Sequence, residues 1–179
     1  MAHLARNRVH RSLVATLLGL ALLTLVSACG SGQDAQTHQP YTPAEGVNFN
    51  VGPTGKWVQV RNLMILSRGD GEGFVSASIV ATETDALTAV AGKPFKADSS
   101  DGTPFQVTMP NPVGLTPGVL VVLTDREFIT VESDDLVVGG DAELTLTFST
   151  VGEYTVRVPV VDADQPAYES LTPSPAPSV

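Results

Sequence analysis

Strict alternation of apolar and polar residues ties this chain to β-structure. Within residues 143–148, Leu144, Leu146 and Phe148 fall on one face, and Thr145 and Thr147 fall on the other. After Ser149-Thr150-Val151-Gly152, the residues Tyr154, Val156, Val158 and Val160 alternate with Thr155, Arg157 and Pro159. A period of two places every second side chain on one face of a strand, so the two runs read as an antiparallel hairpin. Further strands are predicted at 57–66, 73–81, 87–91, 105–109, 118–123 and 127–132, with 47–51 as an edge. Gly, Pro and Asp clusters at 68–73, 98–102 and 134–141 supply the turns. No helical period is sustained after the N-terminal segment. Many short strands between such breakers imply an all-β antiparallel sandwich or Greek-key barrel.

The N-terminus sets the expected compartment. Residues 1–11 carry Arg6, Arg8 and Arg11 and no acidic residue. Residues 13–26 are an uncharged run rich in Leu, 14 residues long. A helix spanning hydrocarbon needs roughly 20, so the run fits a signal-peptide core better than a permanent span. It ends in Val26-Ser27-Ala28-Cys29, which resembles the lipobox of bacterial lipoproteins. The resemblance implies signal-peptidase recognition through Val26, Ser27 and Ala28, and lipidation of the Cys29 thiol. Cys29 is the single cysteine of the chain, so no internal disulfide is available and the fold must rest on its own core. Two acyl chains on one cysteine give stable tethering where one gives marginal binding. The expected localisation is the extracytoplasmic face of the cell membrane, lipid-anchored.

Four segments follow from composition. Residues 1–28 form the signal peptide. Residues 29–45 form a lipidated flexible linker rich in Gly, Ser, Gln and Pro, which holds the domain a few tens of ångströms from the lipid. Residues 46–163 form one β-domain, long enough for a real core. Residues 164–179 end in Leu-Thr-Pro-Ser-Pro-Ala-Pro-Ser-Val and read as a disordered Pro/Ser tail. The mature chain retains seven basic against 19 acidic residues. Such a surface does not suit nucleic acid, which requires clustered Lys or Arg.

No catalytic set is assembled by the sequence. The mature chain holds one histidine, His38, which lies in the linker, so no Ser-His-Asp arrangement is available in the domain. Gly69-Asp70-Gly71-Glu72-Gly73 offers two carboxylates, short of the six to eight oxygens that Ca²⁺ takes, and reads as a hairpin turn. Two methionines could serve a soft metal, Met64 and Met109. Met64 sits in Leu63-Met64-Ile65-Leu66 and reads as core filling. Met109, at a strand end beside Pro110, is the candidate metal ligand.

Three stretches together resemble the PCuAC-type copper-chaperone family and its actinobacterial lipoprotein relatives. They are Gly114-Leu115-Thr116-Pro117-Gly118 with Val119–Leu123; Gly140–Phe148; and Val151–Val160. Residues 57–67 and 85–90 look like that family's early strands. The resemblance implies a cupredoxin-like or immunoglobulin-like Greek-key antiparallel sandwich. It also implies copper ligands from His and Met, including a His-x-Met after the proline-glycine turn. Here that stretch reads Asp125-Arg126-Glu127-Phe128-Ile129-Thr130-Val131, with neither residue. The sequence is therefore read as a scaffold whose ligand set is missing: a non-enzymatic binding or accessory lipoprotein with no cofactor. The alternative is a Cu(I)-binding chaperone for cuproenzyme assembly. The expected partners are the membrane, through the lipid, and an envelope protein.

Replacing Cys29 by Ser removes the acceptor thiol. The expected outcome is loss of the chain from the detergent-extractable membrane fraction, while wild-type protein begins, by intact mass, at a diacylated Cys29. An unmodified wild-type polypeptide beginning at Met1 contradicts this.

Overall fold

The computed structural model describes residues 45–126 and 128–171. The leader, Val26, Ser27, Ala28 and Cys29, the linker up to residue 44, and the last eight residues lie outside them. Ten strands follow in chain order: β1 (Val47–Val51), β2 (Val58–Gly69), β3 (Glu72–Ala81), β4 (Asp85–Pro94), β5 (Gln106–Thr108), β6 (Val113–Leu115), β7 (Val121–Val122), β8 (Thr130–Glu132), β9 (Asp141–Phe148) and β10 (Gly152–Asp162). A 3-10 turn, Leu123–Asp125, lies between β7 and β8. The all-β antiparallel sandwich expected from the sequence is what the chain forms. In one layer β5, β8, β3, β2 and β1 are neighbours, and β7 pairs β3; in the other the order is β10, β9, β4, β6.

One strand belongs to both layers. Residues 152–159 of β10 pair antiparallel with β9, and Val160, Val161 and Asp162 pair parallel with Ile65, Leu66 and Ser67 of β2. Pro159 stands at the change of partner. It has no N–H to give a ladder, so a strand corner suits it. Val160 beyond the corner keeps both backbone groups bonded, to the Gly139 N–H and the Gly140 carbonyl, each at 2.8 Å.

The predicted hairpin of β9 and β10 is present, and its alternation is realised in burial. Leu144, Leu146 and Phe148 are buried while Glu143, Thr145 and Thr147 are half-exposed. Their apolar side chains meet Val58, Val60, Leu63, Ile65, Val75 and Ile79 of the facing layer in one core. Each fully buried side chain of this size contributes about 1.5–3 kcal/mol.

The run Leu63-Met64-Ile65-Leu66 breaks the alternation and has a structural cause. Arg61 pairs Ser78 and Met64 pairs Ser76, so β2 carries one extra residue. Asn62 takes the left-handed conformation there, φ 54°. Asn48 Oδ1 accepts its N–H at 2.7 Å, and its own Oδ1 accepts the Gly46 N–H at 2.9 Å. The bulge turns Leu63 and Ile65 into the sandwich and leaves Met64 and Leu66 on the outer face, where a second apolar cluster buries them.

Several sequence expectations shift. The strand expected over 118–123 shrinks to Val121–Val122, because Thr116–Val119 forms a turn. Gly118 has φ 72° and the Val119 N–H reaches the Thr116 carbonyl at 3.1 Å, as type II requires. β6 was not expected: three residues flanked by Pro112 and Thr116 are too short for a visible period. The expected strand 127–132 begins only at Thr130. Residues 164–171 do not leave the domain as a free tail, since Tyr168 and Leu171 pack on the outer cluster. Gly69-Asp70-Gly71 is a hairpin turn, with positive φ at both Asp70 and Gly71 as a type I′ turn needs.

Asp85 clips the β9–β10 turn to the start of β4. It is 6 % exposed. Its Oδ1 accepts the Ala86 N–H at 2.7 Å, the Ser149 hydroxyl at 2.7 Å and the Thr150 N–H at 2.9 Å; Oδ2 accepts the Val151 N–H at 3.2 Å. Burial raises its pKa, but the bonds from Ser149, Ala86, Thr150 and Val151 outweigh burial and hold it below the ordinary 3.8. The stabilisation is therefore complete above about pH 4 and is lost as pH falls through the lowered value. Asp85→Asn turns an amide donor or a weaker acceptor toward these N–H groups. Chemical denaturation at pH 7 is expected to show a loss of about 1.5–3 kcal/mol. The difference from wild type should shrink as pH falls through the lowered value; a difference that is constant with pH contradicts the ionised clip.

Candidate functional site

A large open cleft lies between the 95–102 loop and the 134–141 loop. Its volume is about 560 Å³, within the range of ligand pockets. β4 delivers Phe95, and β9 and β10 deliver Asp141 and Arg157. Arg157 donates from Nε at 3.1 Å and Nη2 at 2.8 Å to Asp141 Oδ2. This fixes its guanidinium carbon 4.6 Å above the centre of the Phe95 ring. The opposite wall is Asp135, whose Oδ2 accepts the N–H and the hydroxyl of Thr103, both at 2.8 Å. Lys96 stands 3.7 Å from its Oδ1. Val137, 64 % exposed, stands at the rim.

The electrostatics favour binding through fixed charge. The bonds from the Thr103 N–H and hydroxyl hold Asp135 below the usual carboxylate range, and those from Ser100 do the same for Asp98 nearby. The Asp101 carboxylate, 2.7 Å from Lys93, raises that ammonium's pKa. Asp135 and Asp98 are thus ionised at neutral pH. The cleft is a platform of apolar ring, guanidinium and carboxylates rather than a titrating pair poised near 7.

Sequence reasoning did not find Arg157, Phe95 and Asp141 as a unit. Arg157 and Asp141 face each other diagonally across the β9–β10 ladder, which the hairpin register contains, but Phe95 arrives from a strand in the middle of the chain. Asp85 was missed as an acceptor too, because its partners Ser149, Thr150 and Val151 lie far along the chain, beyond any local pattern.

The expected metal ligand is elsewhere. Met109 is half-buried and packs against the main core beside Phe105 and Val107, just after β5. Met64 is 1 % exposed in the outer cluster. The described residues contain no histidine or cysteine, and no group of three His, Cys, Asp or Glu among them could hold a metal ion. The donor set of the described residues therefore does not fit a Cu(I) site, which calls for thioether, imidazole or thiolate donors together. The stretch from Asp125 instead places Phe128 against Phe74, edge to face at 5.1 Å.

No family model and no curated protein matches the chain. Solved structures do. The copper-bound PCuAC domain from PmoF2 superposes with a TM-score of 0.48 at 19 % identity, covering 65 % of this chain and 98 % of that domain. The apo PCuAC domain from PmoF1 gives 0.48 at 22 % identity, with 65 % and 98 % coverage. The apo PmoF2 PCuAC domain gives 0.46 at 19 % identity, with 66 % and 97 % coverage. The sequence-based expectation of no cofactor is corrected here: one of these domains is copper-bound, and the absence of a cofactor is not retained as a reading of this chain.

Proposed function

We propose that the chain is a lipid-tethered, extracytoplasmic binding protein, held to the membrane through Cys29, whose β-domain serves an envelope protein partner without catalysing a reaction. The observation that carries this reading is the cleft. Arg157, pinned flat on Phe95 by Asp141, and Asp135, held ionised by Thr103, present fixed opposite charges around an apolar floor. Such preset groups favour recognition, since no ordering cost is left for the ligand to meet. The leader, the tether and the acidic mature surface fit a domain that works beside a membrane and is kept off its anionic headgroups.

A second reading is Cu(I) carriage in support of cuproenzyme assembly, with copper as cargo. Met109 favours it, as the one methionine among the described residues with surface open to solvent. A thioether alone is a weak site, so further donors must come from outside the described residues, where His38 lies, or from the recipient.

Two measurements on the mature chain separate the readings. Crosslinking in intact membranes is expected to recover a defined protein partner, and Arg157→Ala is expected to reduce its yield at least tenfold. A yield indifferent to Arg157 sinks the first reading. Titration with Cu(I) against a competing chelator tests the second. Sub-micromolar affinity that falls at least tenfold in Met109→Leu supports it, and affinity weaker than micromolar rejects it.

A further inference from the structure

On the outer face of β2 and β3, Met64, Leu66 and Phe74 are buried although they point away from the sandwich core. Phe128 and residues 164–171 cover them, and the latter belong to no strand or helix. That segment is a series of turns closed by its own backbone: Gln165 O accepts from Tyr168 and Glu169, and Tyr168 O accepts from Leu171. Tyr168 and Leu171, three residues apart, are its anchors on the face. One side chain of the sheet holds its polar groups. Arg68 donates from Nε to Asp164 Oδ1 at 3.0 Å, and from Nη2 to the carbonyls of Leu171 at 3.0 Å and Glu169 at 3.4 Å. The Tyr168 hydroxyl donates to Glu45 at 2.6 Å, where the chain enters the domain. Burial and the Glu45 carboxylate push this phenol up to about 12, so it stays a donor at neutral pH. The cover is incomplete: a cavity of about 330 Å³ lined by Leu66, Arg68, Phe74, Thr130 and Glu132 runs along the same face.

We infer that the outer face of β2 and β3 is a peptide-binding site, occupied in cis by residues 164–171. Its ligand class is a turn-forming segment with an aromatic and an aliphatic anchor three residues apart, whose carbonyls meet Arg68. Two features make the occupant exchangeable. The Arg68–Asp164 pair is exposed at the surface, 34 % and 67 %, where water and salt weaken ion pairs. The strap also contributes no strand to the sheet, so it can leave without breaking a ladder. The site is independent of the Arg157 cleft and of any metal.

Met64 reports on the site, because it is buried in the outer cluster on which Tyr168 and Leu171 pack. Met109, outside the outer cluster, is the internal reference. The full chain is treated with hydrogen peroxide and sulfoxide formation is followed by peptide mass mapping. In the Tyr168→Ala/Leu171→Ala chain, Met64 is expected to oxidise at least tenfold faster and Met109 at its wild-type rate. A synthetic peptide of residues 163–171 added in trans is expected to restore Met64 protection saturably, and less well when Arg68→Ala is also present. An unchanged Met64 rate, or no rescue at millimolar peptide, overturns the proposal. If both methionines accelerate together, the double variant has lost its fold, and Arg68→Ala alone decides: a selective several-fold rise at Met64 supports the site, and no rise overturns it.

Discussion

The extra residue in β2 is the constraint on which most of the molecule depends. A strand with a strict period of two can serve one buried face. Val58 and Val60 start on the sandwich side, and without the bulge Met64 and Leu66 would follow them inward. Asn62 in the left-handed conformation, bonded to Asn48 and Gly46, resets the count so that Leu63 and Ile65 go in and Met64 and Leu66 go out. The same device fixes β1, whose register against β2 skips at the same place. One bulge thus defines both the main core and a separate outer face.

The second structural device is the handover made by β10. By pairing β9 before Pro159 and β2 after it, a single strand joins the two layers through backbone bonds as well as side-chain packing. Asp85 works at the other end of the second layer, where its four accepted bonds hold the β9–β10 turn to the start of β4. Between these points the loops have freedom to build sites. The Arg157 cleft lies between the 95–102 and 134–141 loops, and the strap lies on the outer face of β2 and β3. Each uses a cation that the acidic chain has few of, and each holds that cation in place with a carboxylate.

The sequence made the fold legible where one face is buried and the other wet. Leu144, Leu146 and Phe148 needed no more than their spacing. The period fails at Leu63–Leu66, because a segment buried on both faces reads as a plain apolar run, and the bulge that explains it is a lone asparagine with no local signature. The parallel contact of β10 with β2 joins residues nearly a hundred positions apart, beyond any local pattern. In the tail, composition hides the anchors: the Pro/Ser run that begins at Thr172 dominates residues 164–179, while Tyr168 and Leu171 are apolar and pack on the outer cluster. The cleft was invisible for a related reason, since Phe95 joins Asp141 and Arg157 only through the pairing of β4 with β9. The lipid attachment was read from Cys29 and its neighbours and remains a proposal of chemistry at the N-terminus, while Met109, the one candidate ligand, turned out to pack against the core.

Removing the bulge tests this account most directly. Asn62→Val keeps the residue count but disfavours the left-handed conformation that the bulge needs, and in a regular strand of that length Met64 and Leu66, not Leu63 and Ile65, would follow Val58 and Val60 inward. Chemical denaturation of the mature chain, followed by near-ultraviolet circular dichroism, should show a midpoint well below wild type in Asn62→Val and a smaller loss in Asn62→Gly, which keeps the left-handed conformation. An Asn62→Val variant that unfolds cooperatively at the wild-type midpoint contradicts the claim that this residue sets which side of β2 faces the core.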